Sequence, residues 1–179
     1  YDLFYLRKKF IKKLKTNERL SFPKLKNINS NYAIDKFKNY DFVIAIATSI
    51  VKEKSLDAPK IGIINLHPGV LPQYRGIGNF WAIYNNDLNN IGCTCHWMTE
   101  KIDFGNIISI SKLNIDKRMN TLWEINYNSF MKGIDDLSLI INSKQISTKL
   151  SFDKKNSKYY TWNGISHYIK ANKILRNEI

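Results

Sequence analysis

The chain has 179 residues, 44% of them hydrophobic, with ten Tyr, nine Phe and four Trp, the composition of a globular domain with a sizeable core. No apolar run approaches the ~20 residues of a membrane helix, the opening residues are too charged for a secretory signal, and two cysteines, Cys93 and Cys95, are too few for a disulfide framework; no membrane partner is expected, and a reducing cytoplasm fits best. The net charge of +13 invites a polyanionic partner, but its distribution weakens that reading. Residues 1–60 hold 14 Lys+Arg against 6 Asp+Glu, residues 61–115 hold 3 against 3, and residues 116–179 hold 11 against 6. Of the 28 basic residues 23 are Lys, whereas phosphate recognition favours the bidentate Arg fork. With abundant Asn, Ile and Tyr, the excess Lys reads as the bias of an AT-rich genome, and no specific nucleic-acid partner is expected.

In chain order, residues 2–15 read as an amphipathic helix, with Leu3, Leu6, Phe10 and Leu14 on one stripe among Lys8, Lys9, Lys12 and Lys13. A second short helix is predicted over 31–38. The run Asp41-Phe-Val-Ile-Ala-Ile-Ala47 suits a parallel strand buried on both faces. Residues 61–66 form a second such run, and a short helix within Ser49–Pro59 completes a β-α-β unit. His67–Gly78, with Pro68, Gly69, Pro72, Gly76 and Gly78, is a loop. Residues 79–85 look helical. Residues 91–98 and 106–115 read as strands joined by the short connection Thr99–Gly105. Residues 120–142 form the clearest helix, capped by Asn120, with Trp123, Tyr127, Phe130, Ile134, Leu137 and Ile141 on one face. Residues 143–158 are loop-like, and a last helix covers roughly 165–176. The whole, residues 1–179, reads as one α/β domain with a mixed, mostly parallel sheet flanked by helices.

Asn65 and His67 end a predicted buried strand, the place where open α/β sheets bind ligands. Residues i and i+2 of a strand share a side, so an amide and an imidazole converge there, and the Pro/Gly-rich loop behind them lets backbone approach a ligand. On spacing alone the ordinary reading, a turn-capping Asn and a satisfied His, is the better one. Asp103 taken alone is a turn residue bonding its own backbone. His96, alternating with Thr94 and Met98, reads equally as a core histidine or as a partner of Asp103. Cys93 and Cys95 face the other way with Trp97. A Cys-x-Cys pair near a His suggests metal, but no second ligand cluster at zinc spacing accompanies it, and buried small hydrophobes are the better reading; no metal is expected. Asp103-Phe-Gly matches a kinase tripeptide whose companion motifs are missing.

Two segments carry a more specific signal. Asn65-Leu-His-Pro-Gly-Val-Leu-Pro-Gln-Tyr-Arg-Gly76, and Gly92-Cys-Thr-Cys-His96 followed by Ile102-Asp-Phe-Gly-Asn-Ile-Ile108, together resemble the two halves of the folate-dependent formyltransferase signature. That family includes glycinamide ribonucleotide, methionyl-tRNA and nucleotide-sugar formyltransferases. The similarity is strong over residues 41–115 and extends to the C-terminus, including Tyr159-Tyr160. Three positions depart from the pattern: Gly69 where many members have Ser, Asn79 where many have Pro, and Asn106 where Pro is common. They bear on the subfamily and not on the three positions Asn65, His67 and Asp103.

The resemblance implies a Rossmann-like formyltransferase fold whose first strand and glycine-containing loop would precede Tyr1, so that the chain reads as N-terminally truncated. It implies 10-formyltetrahydrofolate as formyl donor, its pterin near Thr48, Ser49, Ile50, Ile102 and the Asp103 turn, with Asn65, His67 and Asp103 as catalytic residues and His96 behind Asp103. Asn65 would hydrogen-bond an oxyanion without titrating. His67, if protonated, would donate to the same site and to the leaving nitrogen, and Asp103 would hold His67 in that state and collect the amine proton. The partner is a small molecule, with a homodimer compatible. Pro-Gly in the loop and Trp81-Ala-Ile-Tyr84 after it look most like the sugar subgroup, which implies a nucleotide-linked amino sugar as acceptor. Methionyl-tRNA or glycinamide ribonucleotide formylation is the alternative, and a silent folate- or nucleotide-binding module a third reading.

Overall fold

The computed structural model describes residues 25–115, 121–143, 146, 151–162 and 164–178. The helix expected at 2–15, Asn120 and part of the 143–158 segment lie outside them.

Helix α1 (Asn31–Phe37) is capped by Ser30, whose side chain accepts from the Ala33 N–H at 3.2 Å. It buries Ala33 and Phe37, one turn apart on a single face. Strand β1 (Phe42–Ile46), the short helix α2 (Glu53–Leu56) and strand β2 (Gly62–His67) form the expected unit with β1 and β2 parallel. Then come β3 (Arg75–Gly76), α3 (Gly78–Tyr84), a single 3₁₀ turn (Leu88–Asn90), β4 (Gly92–Trp97) and β5 (Ile107–Lys112). Helix α4 (Leu122–Asn142), strand β6 (Tyr159–Tyr160) and helix α5 (Ile165–Glu178) complete the described chain. No described helix is long and apolar enough to cross a membrane.

The main sheet runs β1-β2-β4-β5. It is mixed, as expected, but not mostly parallel within the described residues. β1 and β2 are parallel, while β2/β4 and β4/β5 are antiparallel. The β4–β5 link is too short for a crossover, which needs a dozen or more residues, so those strands must reverse. β1 is likewise half-buried rather than covered on both faces, only Ala45 being fully buried; among the described residues it is one of the two sheet edges. A second, two-stranded sheet pairs β3 parallel to β6; two-residue strands leave no periodicity in the sequence.

The alternation of β2 and β4 decides what the two faces bury. Ile64 and Leu66 with Cys93 and Cys95 pack against Phe130, Ile134, Leu137 and Ile141 of α4, each full burial of a large aliphatic side chain contributing roughly 1.5–3 kcal/mol. Gly133 lets α4 come close, since a Cβ there would lie 2.5 Å from Cys93 Sγ. The cap of α4 is Thr121, whose hydroxyl accepts from Glu124 N–H while the Glu124 carboxylate reaches back. Trp123, expected on the core face, is 55% exposed and stacked on Tyr127. The first turn instead buries Ile125 in a second cluster with α3 and α5, around Phe80, Ile83, Ala171 and Leu175. On the opposite face of the sheet α1 covers Ile63 and Ala45. Beyond that cover, at the C-terminal end of β2, a cleft opens.

Candidate active site

β2 carries Asn65 and His67 to the head of the cleft, and β4 brings His96 opposite Asn65 in register. The link between β4 and β5 folds back over them and delivers Asp103. That residue sits at φ +49°, a left-handed conformation that is costly for a non-glycine residue and persists only where the surroundings hold it. Its carboxylate does not bond its own backbone as a turn Asp ordinarily would. Oδ2 accepts from the Gly76 N–H at 2.9 Å, Oδ1 accepts from Asn65 Nδ2 at 3.3 Å, and His67 Nδ1 lies 3.4 Å from Oδ2. His96 Nε2 stands 3.6 Å from Oδ1 and 3.2 Å from Asn65 Nδ2. The structure thus gathers Asn65, His67, Asp103 and His96, and the two readings of His96 prove compatible: it is buried and it faces Asp103. Cys93 and Cys95 point into the α4 core on the other side of β4, so no site assembles from them and His96.

Each histidine is oriented by a backbone carbonyl. His67 Nε2 is 2.7 Å from Tyr74 O, and His96 Nδ1 is 2.9 Å from Trp97 O. Carbonyls only accept, so those nitrogens carry the protons, and His67 turns Nδ1 toward Asp103. Burial pushes the His67 pKa below its ordinary 6.5, outweighing the pull of Asp103 and the Tyr74 carbonyl, with His96 and Arg75 adding to the depression. For Asp103, burial acts upward, but the charge of a protonated His67, the adjoining His96 and the Gly76 N–H overcome it and hold the carboxyl down to about 2. At neutral pH, therefore, Asp103 is ionised and His67 is neutral, and the Gly76 and Asn65 donors still serve the carboxylate.

The loop after β2 is fixed from below. Thr94 Oγ1 donates to Gly69 O at 2.7 Å and accepts from Leu71 N–H at 3.1 Å. Asn79 is buried, with Oδ1 accepting from Gly92 N–H at 2.9 Å and Nδ2 donating to Asn126 Oδ1 and Ser129 Oγ. The cleft itself holds about 320 Å³. Thr48, Ser49, Ile50 and Ile102 line it together with Asn65, His67, His96 and Asp103. Ile50 and Ile102 are 62% and 39% exposed, two apolar walls left to solvent beside polar groups, which suits a flat partly apolar ring. Tyr74, Arg75 and Gly76, which hold His67 and Asp103 in place, belong to the loop and to the signature segment, but the sequence assigns them no role. Their roles lie in backbone atoms and in a guanidinium fork, and neither writes a pattern into the sequence.

The geometry defines an α/β domain with a polar cluster at the strand ends of a mixed sheet, the usual ligand position in such folds. The chain belongs to the formyl transferase family, whose model matches residues 11–131. Among curated relatives it is 36% identical over 90 residues to the methionyl-tRNA formyltransferase of Clostridioides difficile (strain 630), covering 48% of this chain and 29% of that protein. It is 35% identical over 111 residues to the bifunctional polymyxin resistance protein ArnA of Wigglesworthia glossinidia brevipalpis, covering 60% of this chain and 16% of that one. The chain therefore spans well under half the length of these relatives. Among solved structures, the formyltransferase PseJ from Anoxybacillus kamchatkensis, in complex with UDP-4,6-dideoxy-4-formamido-L-AltNAc and tetrahydrofolate, superposes with a TM-score of 0.64 at 20% identity, over 94% of this chain and 86% of that chain. A sugar N-formyltransferase from Shewanella sp. FDAARGOS_354 matches with the same score and identity over 83% and 65%. At such identity these likenesses show the Rossmann-like fold alone.

Proposed function

We propose that this protein transfers the formyl group of 10-formyltetrahydrofolate to the primary amine of a nucleotide-linked amino sugar. The observation that carries the reading is the convergence of Asn65, His67 and Asp103 at the head of a cleft whose walls include Thr48–Ile50 and Ile102. Structural neighbours bound to tetrahydrofolate or 5-N-formyl-THF support the donor. When bound, that donor supplies the activated formyl carbon. The protein supplies the rest. Asn65 Nδ2 offers hydrogens to the oxyanion that develops as the amine attacks. Neutral His67 takes the amine proton on Nδ1, the nitrogen facing Asp103, and passes it to the leaving nitrogen of the folate. Asp103 keeps its charge and stabilises the imidazolium in between, acting as partner to the base rather than as the base. The lowered Asp103 pKa, to which His67, His96 and the Gly76 N–H contribute, supports this role of ionised partner over the proton-collecting role that the resemblance implies.

The sugar acceptor is supported by the extent of the match to sugar N-formyltransferases, 94% of this chain in one case, and by the balanced charge of residues 61–115. Methionyl-tRNA formylation is the second reading, favoured by the curated relatives and by the +13 charge. A tRNA enzyme neutralises several phosphates, so its affinity falls log-linearly with salt; lysines on the flanks are screened beyond ~8 Å at physiological salt. The test offers the chain 10-formyltetrahydrofolate with nucleotide-linked amino sugars, glycinamide ribonucleotide or charged initiator tRNA. Turnover of an amino sugar, with weak and salt-sensitive tRNA binding, is expected. Efficient formylation of methionyl-tRNA with no sugar accepted overturns the acceptor and leaves the chemistry intact.

A further inference from the structure

Asp103 depends on its surroundings for its conformation, and one dipeptide holds both the residue itself and its two chain neighbours. Arg75 Nε and Nη2 both donate to Ile102 O, at 2.9 and 2.7 Å, a two-pronged grip on the carbonyl just before Asp103. The guanidinium carbon lies 4.7 Å from the Phe104 ring centroid, on the other side of Asp103, and 5.4 Å from that of Tyr159. Gly76 N–H holds the Asp103 carboxylate itself at 2.9 Å. Among the described residues Arg75 makes no ion pair, so its fork is committed to this backbone. The dipeptide is anchored in turn by β6 and the two residues before it: Arg75 N–H donates to Lys158 O at 3.0 Å, Ile77 N–H to Tyr160 O at 3.1 Å, and Arg75 Nη1 to Ser157 Oγ at 3.4 Å.

We infer that Arg75 is a positioning residue, which fixes the Asp103 turn against Asn65 and His67 through the Ile102 carbonyl and its contacts with the Phe104 and Tyr159 rings; its catalytic consequence rests on the proposed role of Asp103. Charge alone does not do this. A lysine keeps the charge but has no planar fork with which to hold one carbonyl at two points. Misplacement of a reacting group by about 1 Å costs on the order of 10²-fold in rate, so a loosened turn is felt in turnover before it is felt in binding.

The test uses Arg75→Lys, with Asp103→Ala as reference and Tyr159→Leu as a gentler second variant on a half-exposed side chain. In steady-state assays of formyl transfer, Arg75→Lys should lower kcat roughly 10–100-fold, leaving KM for 10-formyltetrahydrofolate within about threefold. Tyr159→Leu should act in the same direction by less. A readout independent of turnover is the Asn65 side-chain amide in ¹H–¹⁵N spectra, because its Nδ2 donates to Asp103. Arg75→Lys should displace that resonance toward its position in Asp103→Ala. Wild-type kcat in Arg75→Lys, or an Asn65 resonance unmoved in Arg75→Lys and Tyr159→Leu while Asp103→Ala displaces it, overturns the inference. If the wild-type chain transfers no formyl group, the functional reading fails, and the Asn65 resonance still decides what Arg75 does.

Discussion

His67 Nδ1 and Asp103 Oδ2 lie 3.4 Å apart across two separate segments of chain, both side chains nearly removed from solvent. The separation suits an imidazolium that forms during turnover better than one present beforehand, since the buried ring is neutral at neutral pH and gains a full ion pair only on taking a proton. Residues that act as a unit lose their effect together. His67→Ala and Asp103→Ala should each nearly abolish formyl transfer, and the double variant should be scarcely worse than either. Steady-state kinetics on all three, with folding checked by circular dichroism, reads the cycle. Losses that multiply would describe two independent residues.

The same pair sets the pH response. His67 has its pKa lowered from 6.5, so the ascending limb of kcat/KM should fall below pH 6.5. Asp103 pulls that pKa upward, so Asp103→Asn should move the limb to still lower pH in whatever activity remains. Stability follows with its own sign. The Asp103 pKa is depressed from 3.8 to about 2 on folding, so its contribution, about 2 kcal/mol, is complete above the unfolded value and lost as pH falls from 3.8 through about 2. His67 acts in the same direction from pH 6.5 downward, because the unfolded ring takes up protons that the buried ring refuses. Urea unfolding of wild type and Asp103→Asn at pH 5, 3 and 2 checks this; curves that stay parallel between pH 4 and 2 would remove Asp103 from the account.

Asn65 Nδ2 lies 3.3 Å from Asp103 Oδ1 and 3.2 Å from His96 Nε2, and these two contacts fix the amide at the head of the cleft. As an oxyanion donor it should cost about 10²–10³ in kcat when replaced by Ala, with KM for the donor little altered. Should folded Asn65→Ala retain more than a tenth of wild-type turnover, the amide has another job.

Much of this site was legible in the sequence because its pieces lie on strands. Asn65 and His67 share a side of β2, and the alternation along β4 separates His96 from Cys93 and Cys95; both follow from the period of two. What stayed hidden depends on distance through space. Asp103 read alone is a turn residue, and nothing in its neighbours announces that Gly76, 27 positions earlier, supplies its backbone donor. Arg75 was visible as part of a motif, but its fork closes on a carbonyl, and carbonyls are the same at every position. Asn79 was visible as a departure from the family pattern, yet its burial and its bond to Gly92 N–H required the fold. Trp123 fell on the predicted apolar stripe of α4 and is exposed, because Ile125 wins the first turn for the α3–α5 cluster.

Gly69 is the departure with the sharpest consequence. Many formyl transferases carry Ser at this position, which would suggest that a side chain is harmless. Here a Cβ would stand 2.7 Å from His67 Nε2, 2.8 Å from Gly78 Cα and 2.9 Å from Tyr74 O. Two of those atoms are backbone, in a loop pinned by Thr94 to Gly69 O at 2.7 Å and by Asn79 N–H to Pro68 O at 3.0 Å, so little can yield. The third is the nitrogen through which Tyr74 O orients His67 at 2.7 Å. Overpacking of this kind costs about 1–3 kcal/mol, and it would turn the His67 ring away from Asp103. Gly69→Ala and Gly69→Ser should therefore lower Tm and reduce kcat by at least about tenfold. Gly78→Ala meets Pro68 O at 2.6 Å and Gly69 Cα at 2.7 Å, so it should produce the same defect, and the double variant should fall short of the sum because both strain one contact. Thermal melts and kinetics of the four proteins test this. Wild-type Tm and kcat in Gly69→Ser would mean that the loop yields, and that the glycine is an accident of composition rather than a condition for holding His67.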